Sequence, residues 1–355
     1  VVAALGEQAA RLNTHTRYLH ENVVEYAERL AATMPGGLDV VMFACSGTEA
    51  NDLALRIARA VSGNEGVIVM EQAYHGTSNT VFQLSPEDCP ASERPAFLET
   101  LEPPNGYRGE FAYDDPDMGA RYAALVDGAA GALAERGFRP AMFISDNCFS
   151  SNGVLIPPPD YLQEVYRRVR AAGGLVVADE VQSGLCRLGD HYWAFEDSGA
   201  VPDIVTAGKP LGDGHPLSAV VTTPEIAAAV AERYHYFNTF GGNPVSAAVG
   251  LAVLDVIEEE GILQHVHDTG SYLHAGLLAL KDRFEQIGDI RGKGLFFGVE
   301  LVRDRESKVP ASSEAAAVRE YLRENGVLLS VTGPLGNVVK IRPPMVFSRS
   351  NVDQL

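Results

Sequence analysis

Four short stretches place reactive side chains at the ends of apolar runs. Cys45-Ser46-Gly47-Thr48-Glu49-Ala50-Asn51 follows the run Val40–Ala44 and opens an Ala-rich helical pattern. At such a junction the free N–H groups of Gly47 and Thr48, with the Thr hydroxyl, can hold a phosphate. The same residues also suit an ordinary helix cap on Ser46 or Thr48. Ala73-Tyr74-His75-Gly76 follows Gly66–Met70, and Tyr74 either stacks on a planar heterocycle or packs within a turn. In Val176-Val177-Ala178-Asp179-Glu180-Val181-Gln182-Ser183-Gly184 an acidic pair closes an apolar run. A carboxylate there is costly unless paired, and a protonated pyridine nitrogen would pair it. A metal is the competing partner, but no histidine stands at a supporting spacing. Asp203-Ile204-Val205-Thr206-Ala207-Gly208-Lys209-Pro210 puts a lysine just past another apolar run. Lys209 either reaches solvent or, partly buried, is a Schiff-base candidate.

These stretches need elements to bring them together. The β-branched runs at 40–44, 66–70, 141–144, 174–178, 202–206 and 218–221 predict strands, and 51–61 and 161–172 read as helices. The alternation argues an α/β fold on a mainly parallel sheet, with strands apolar enough to be covered on both faces. Residues 87–117, rich in Pro, Glu and Gly, read as a long, mobile surface excursion. A helix from Pro244 to Glu260 looks like a bridge between domains. Beyond it a helix (263–287), strands (294–301), a helix (314–324) and strands (327–330, 338–341) suggest a smaller α+β unit. The expected division is an N-terminal segment, residues 1–29, a large domain, 30–245, and the bridging helix with a small C-terminal domain, 246–355.

With 355 residues, 46% of them hydrophobic, the chain can bury a large core. A formal charge of -19 repels phosphate backbones and anionic lipids. Without a local basic patch, neither nucleic acid nor membrane is an expected partner. Four cysteines without a CxxC pair, and nine histidines without metal-ligand spacing, suggest reduced thiols, a cytoplasmic protein and no metal. The sequence begins at Val1 without Met, and both ends look cut.

All four stretches occur in the order and approximate spacing of the class III aminotransferases that use pyridoxal phosphate. So does Tyr236-Phe237-Asn238-Thr239-Phe240-Gly241-Gly242-Asn243-Pro244. The likeness continues through Gly288-Asp289-Ile290-Arg291-Gly292-Lys293-Gly294-Leu295-Phe296-Phe297-Gly298-Val299-Glu300-Leu301, which resembles that family's small-domain strand. A dinucleotide loop is ruled out there because its glycines precede a strand. The resemblance implies the type I fold of pyridoxal phosphate enzymes, with a mostly parallel seven-stranded sheet in the large domain. It implies that Lys209 carries the cofactor covalently and that Asp179 keeps the pyridine nitrogen protonated, which makes the ring an electron sink. Tyr74 and Val181 would cover the two ring faces, Gln182 would lie near the ring hydroxyl, and Gly47 and Thr48 would hold the phosphate. Thr239 would reach that phosphate from a neighbouring subunit, so a homodimer is expected.

Within the family, Leu328–Pro334 and Asn337-Val338-Val339-Lys340-Ile341-Arg342-Pro343-Pro344-Met345 look most like the ethanolamine-phosphate and phosphohydroxylysine phospho-lyases, with alanine-glyoxylate-type aminotransferases close behind. Family members that bind a keto-acid carboxylate commonly place an arginine where Lys340 stands, because its planar fork matches two oxygens. Some also carry a Gly-Glu-x-Gly stretch whose glutamate masks that arginine; Ser150-Ser151-Asn152-Gly153 occupies the corresponding place. Lys340 therefore points to a phosphate, although Arg342, two residues on and on the same face, suits a carboxylate. The expected substrate is a small primary amine that loses its α-proton. With a phosphate ester on the neighbouring carbon, phosphate and ammonia depart and an aldehyde remains; without one, the amino group passes to a keto acid. Arg17 and Tyr18 are candidates to face the substrate, with a structural role as the alternative. Lys209, Asp179, Gln182 and Thr239 together argue against a catalytically silent homologue.

Overall fold

A computed structural model describes residues 1–355. Two helices, α1 (Val2–Arg11) and α2 (Glu21–Ala32), precede β1 (Val40–Ala44), α3 (Gly47–Ser62), β2 (Gly66–Met70) and α4 (Asn79–Gln83). Then come β3 (Leu98–Leu101), α5 (Met118–Glu135), β4 (Pro140–Ser145), α6 (Tyr161–Ala171), β5 (Leu175–Asp179), β6 (Ile204–Ala207), β7 (Ser218–Thr222) and α7 (Pro224–Ala231). Seven strands form one sheet in the order β1-β7-β6-β5-β4-β2-β3. Only β7 runs against the others, pairing antiparallel with both β1 and β6. Hence the sheet is mostly parallel, and the C-terminal ends of β1, β2, β4, β5 and β6 all emerge at one edge.

Alternation along the strands explains how both faces are covered. Ile68, Phe143 and Val176 pack with α5 and α6 on one side. Val67, Val69, Met142, Ile144, Val177 and Ile204 meet Leu53, Ala54 and Ile57 of α3 on the other. All six of those strand side chains are fully buried, each worth about 1.5–3 kcal/mol relative to exposure.

The chain continues through α8 (Pro244–Glu259), α9 (Ile262–Arg283), β8 (Ile287–Lys293), β9 (Phe296–Leu301), α10 (Ser312–Glu324), β10 (Ser330–Thr332), β11 (Val338–Ile341) and α11 (Arg349–Gln354). Pro244 fits the first turn of α8, where no N–H partner is lost, and Asn243 caps it by accepting from Ser246 N. A second, four-stranded antiparallel sheet has the order β10-β11-β9-β8. One core joins the two sheets, running from Tyr26, Leu30 and Phe43 through Leu254 and Ile257 of α8 to Leu273, Phe297 and Val339. No helix is long and apolar enough to cross a membrane.

Several expectations need correction. The excursion at 87–117 contains β3, the edge strand beside β2; four residues with only the two end leucines buried give too short a pattern to read. The helix expected to reach residue 287 stops at Arg283, and Ile287 already starts β8. The stretch 288–301 is a hairpin of two strands, its turn made by Gly294 at φ +55°, a conformation glycine adopts without a Cβ penalty. The strand expected at 327–330 begins only at Ser330.

Candidate active site

The shared strand edge gathers the four stretches. Gly47, Thr48, Asn51, Tyr74, His75, Gly76, Asp146, Asp179, Val181, Gln182 and Lys209 line a single cavity of about 200 Å³. Seven of these were expected: Gly47, Thr48, Tyr74, Asp179, Val181, Gln182 and Lys209. Ends of parallel strands, where connections diverge, are where open α/β sheets form such sites.

At one end lies the N-terminus of α3. Ser46 caps the helix by accepting from Glu49 N at 3.2 Å. The cap leaves the N–H groups of Gly47 and Thr48 in the first turn without intrahelical partners. A Cβ on Gly47 would lie 3.0 Å from Val181 Cγ1, and one on Gly76 would lie 2.5 Å from Thr48 Oγ1. Side chains at either position would fill this cradle, which suits a phosphate at a helix N-terminus.

Asp179, the last residue of β5, lies at the cavity's buried end. His75 Nδ1 is 2.7 Å from its Oδ2, Asn51 Nδ2 donates to the same oxygen at 2.9 Å, and Val181 N donates to Oδ1 at 3.1 Å. Thr206 in turn orients Asn51 by donating to its Oδ1 at 2.7 Å. Burial pushes the Asp179 carboxyl up, but His75, the Lys209 charge and Asn51 outweigh it and hold the group below its ordinary range. A carboxylate kept ionised in a buried cavity wall fits a protonated ring nitrogen. Buried His75 keeps Nε2 without a partner. Next along the chain, Glu180 faces away from the cavity. It accepts from Asn147 Nδ2, Ser183 Oγ, Ala194 N and Phe195 N at 2.7–3.1 Å, and burial pushes it up to about 7.

Lys209 follows β6 through Gly208 and sits at φ +24°, a backbone region disfavoured for a side chain. Loss of water around its amine lowers its pKa, and the charge of Arg342 adds to this against the pull of Asp179 and Asp146. Val181, Gln182 and Lys209 also line a second, adjoining cavity of about 420 Å³, together with Arg187, Asp213 and Arg342. Arg342 donates to Gln182 Oε1, whose Nε2 donates to Ser150 Oγ at 2.9 Å. Arg187 donates to the Pro343 carbonyl at 2.6 Å, and burial brings it down to about 10. Lysine and arginine here lack carboxylate partners: none of Lys209, Arg187, Lys340 and Arg342 has one within 4.0 Å.

Lys340 lines neither of these two cavities. It lines a neighbouring cavity, which Arg342 shares, and its Nζ sits 5.5 Å from the Phe296 ring centroid. Arg342, the alternative, is the one that reaches the Lys209 cavity. Thr239, Arg17 and Tyr18 do not line the cavity of their own chain. They occupy one exposed strip in which Thr16 N donates to the Thr239 carbonyl at 3.1 Å and Arg17 stacks over Phe237. Asp146 and Arg187 went unnoticed in the sequence. Asp146 carries the signal that marks Asp179, an acid directly after an apolar parallel strand; Arg187 lies in a loop and carries none.

The family model for class III aminotransferases matches residues 1–355. An alanine-glyoxylate aminotransferase 2-like protein of Drosophila melanogaster is 45% identical over 362 residues, covering 100% of this chain and 73% of its own length. An ethanolamine-phosphate phospho-lyase homologue of Caenorhabditis elegans is 39% identical, covering 99% and 78%. Among solved structures, a phospholyase from Arthrobacter in complex with phosphoethanolamine superimposes with a TM-score of 0.95 at 40% identity, covering 99% of this chain and 83% of that one. A transaminase from Virgibacillus gives 0.89 at 27% identity, covering 99% and 82%. The chain belongs to the class III aminotransferase family and is an enzyme dependent on pyridoxal phosphate.

Proposed function

Starting from that family membership, we propose that the enzyme is a phospho-lyase. It would eliminate phosphate and ammonia from a small phosphorylated primary amine of the O-phosphoethanolamine type and leave an aldehyde. One observation carries this: Arg187 and Arg342 line the Lys209 cavity with no carboxylate within 4.0 Å of either. Two unpaired cations beside the reacting amine favour a dianionic group on the substrate. The loop at Ser150-Ser151-Asn152, without an acid, leaves Arg342 available. The phosphoethanolamine bound by the Arthrobacter relative is a substrate class of this kind.

Gly47 and Thr48 would hold the cofactor phosphate, Asp179 the ring nitrogen, and Tyr74 and Val181 the ring faces, with Lys209 as covalent anchor. Once bound, pyridoxal phosphate makes the hydrogen on the amine-bearing carbon acidic by accepting the electron pair left behind. Lys209 Nζ, whose pKa is lowered by burial and by the Arg342 charge, is the base placed to take that proton. Arg342 and Arg187 hold the phosphate on the neighbouring carbon as its C–O bond breaks and the electron pair leaves with it. The two-carbon vinylamine takes up water to give acetaldehyde and ammonia. Two chains would make up the active unit. Thr239, Arg17 and Tyr18 share a strip with Tyr18 66% and Phe240 60% exposed, which a second copy would cover, bringing Thr239 to the partner's phosphate cradle.

The fork of Arg342 also fits a carboxylate, which favours the second reading, a transaminase passing the amino group to pyruvate or glyoxylate. Supplying O-phosphoethanolamine alone separates the two. A phospho-lyase releases phosphate, ammonia and acetaldehyde over many turnovers. A transaminase stops after one equivalent until a keto acid is added, and that outcome would return the enzyme to the transaminases.

A further inference from the structure

Outside the cavity lies a buried charged cluster that this chemistry does not use. Arg291 in β8 has a 6% exposed side chain, and its Nη1 is 3.0 Å from Asp289 Oδ2 and 2.6 Å from Glu300 Oε2. Glu300, 2% exposed at its side chain, also takes Arg108 from the excursion, while Tyr113 donates to Asp289 Oδ2 at 2.9 Å. Two carboxylates thus hold the guanidinium and leave its Nε aimed at the large domain. That Nε donates to the Gly153 carbonyl at 3.0 Å.

Gly153 ends the loop that carries site residues, and the loop is strained. Phe149 (φ +41°), Gly153 (φ +105°) and Val154 (φ +59°) all have positive φ, which for β-branched Val154 is a true outlier. Such a backbone persists only where its surroundings hold it. Thr332 Oγ1 donates to the Ser150 carbonyl at 3.1 Å, Gly333 N to that of Ser151 at 3.2 Å, and Asn152 Nδ2 to that of Glu71 at 2.5 Å. From this loop Ser150 Oγ accepts from Gln182, and Gln182 accepts from Arg342.

We propose that Arg291 is a positioning residue: by clamping Gly153 it holds the strained loop so that Ser150 and Gln182 keep Arg342 aimed into the Lys209 cavity. The inference rests on Arg342 as the anion-binding group and holds for phosphate or carboxylate alike. The assay uses whichever anionic substrate the wild type turns over, so a failure of the phospho-lyase reading appears in the wild type and a failure of the clamp only in the variants.

Arg291→Lys keeps the charge but cannot serve both carboxylates and the Gly153 carbonyl. It should raise KM about tenfold, with kcat little changed and the melting temperature within a few degrees of wild type. Ser150→Ala should do the same, and the double variant should be no worse than either single one, because both break one relay. Additive losses in KM, or a fall in kcat and stability at unchanged KM, would overturn the proposal. Should Arg291→Lys not fold, Thr332→Val releases the same loop from the small-sheet side, and its cycle with Ser150→Ala is read by the same criteria.

Discussion

Replacing Arg342 with methionine tests both the anion site and the electrostatics around Lys209. Methionine keeps a stem against the Phe296 ring, whose centroid lies 5.8 Å from the guanidinium, and removes only the charged fork. Each charge-assisted bond from the guanidinium contributes about 1.5–3 kcal/mol, and the fork can make two to a phosphate against the one to Gln182 that it must loosen, a difference of about one such bond. Arg342 is exposed at the cavity mouth, so solvent screening favours the lower end of the difference. A net loss of about 1–1.5 kcal/mol predicts a KM for O-phosphoethanolamine raised roughly tenfold. A second consequence has an independent sign. The Arg342 charge helps hold down Lys209, Lys340 and Arg187, so without it Lys209 keeps its proton to higher pH. Phosphate release against pH should show its acidic limb displaced upward, and acylation of Lys209 in cofactor-free protein should follow. Arg342→Lys should leave the limb in place while still raising KM. An unchanged KM in Arg342→Met, or a limb displaced downward, would refute the reasoning.

Lys209→Ala should lower turnover by roughly 10²–10⁴-fold or more, with the cofactor still retained through α3 and Asp179; activity near wild type would remove Lys209 from the mechanism. Asp179→Asn should leave the cofactor bound, as its absorbance would report, and slow proton removal by orders of magnitude, since a neutral amide no longer favours a protonated ring nitrogen. Glu180 predicts a dependence of stability on pH. Burial raises it to about 7 from an ordinary 4.5, so the folded chain binds that proton more tightly than the unfolded one. Its contribution is full below pH 4.5 and lost as pH climbs to 7, about 3 kcal/mol in all. The unfolding free energy of wild type minus that of Glu180→Gln should fall across this window; a difference that stays flat would show that Glu180 is ionised throughout.

How much could be read in the sequence followed from how local each signal is. Apolar runs such as Val67–Met70 and Val176–Ala178 are strands because parallel strands are buried on both faces, and an acid or lysine directly after one stands out. That made Asp179 and Lys209 visible, and Asp146 follows the same rule after β4. The edge strand β3 escaped because its two inner residues are only half-buried. Arg187 and the tie between Ser150 and Gln182 depend on loop paths, which periodicity does not encode. The strand order was not legible at all, since parallel pairing joins residues far apart in sequence.

Lys340 and Arg342 show what a shared strand face does and does not decide. Two residues apart on a strand they share a face, and Lys340 carried the departure from the family's arginine. Yet β11 ends at Ile341, and the pleat that would keep the two side chains level ends with it. Arg342 lies in the segment turning toward Pro343 and Pro344, and this lets its guanidinium reach Gln182. Lys340, still paired opposite Gly298, stands over Phe296 with its Nζ 5.5 Å from the centroid, and the Arg342 guanidinium lies 5.8 Å from the same point. The shared face therefore puts both cations against one ring but does not say which of them lines the Lys209 cavity. At that boundary the chain moves a cation from the small sheet into the wall of the Lys209 cavity, where the proposed elimination needs one.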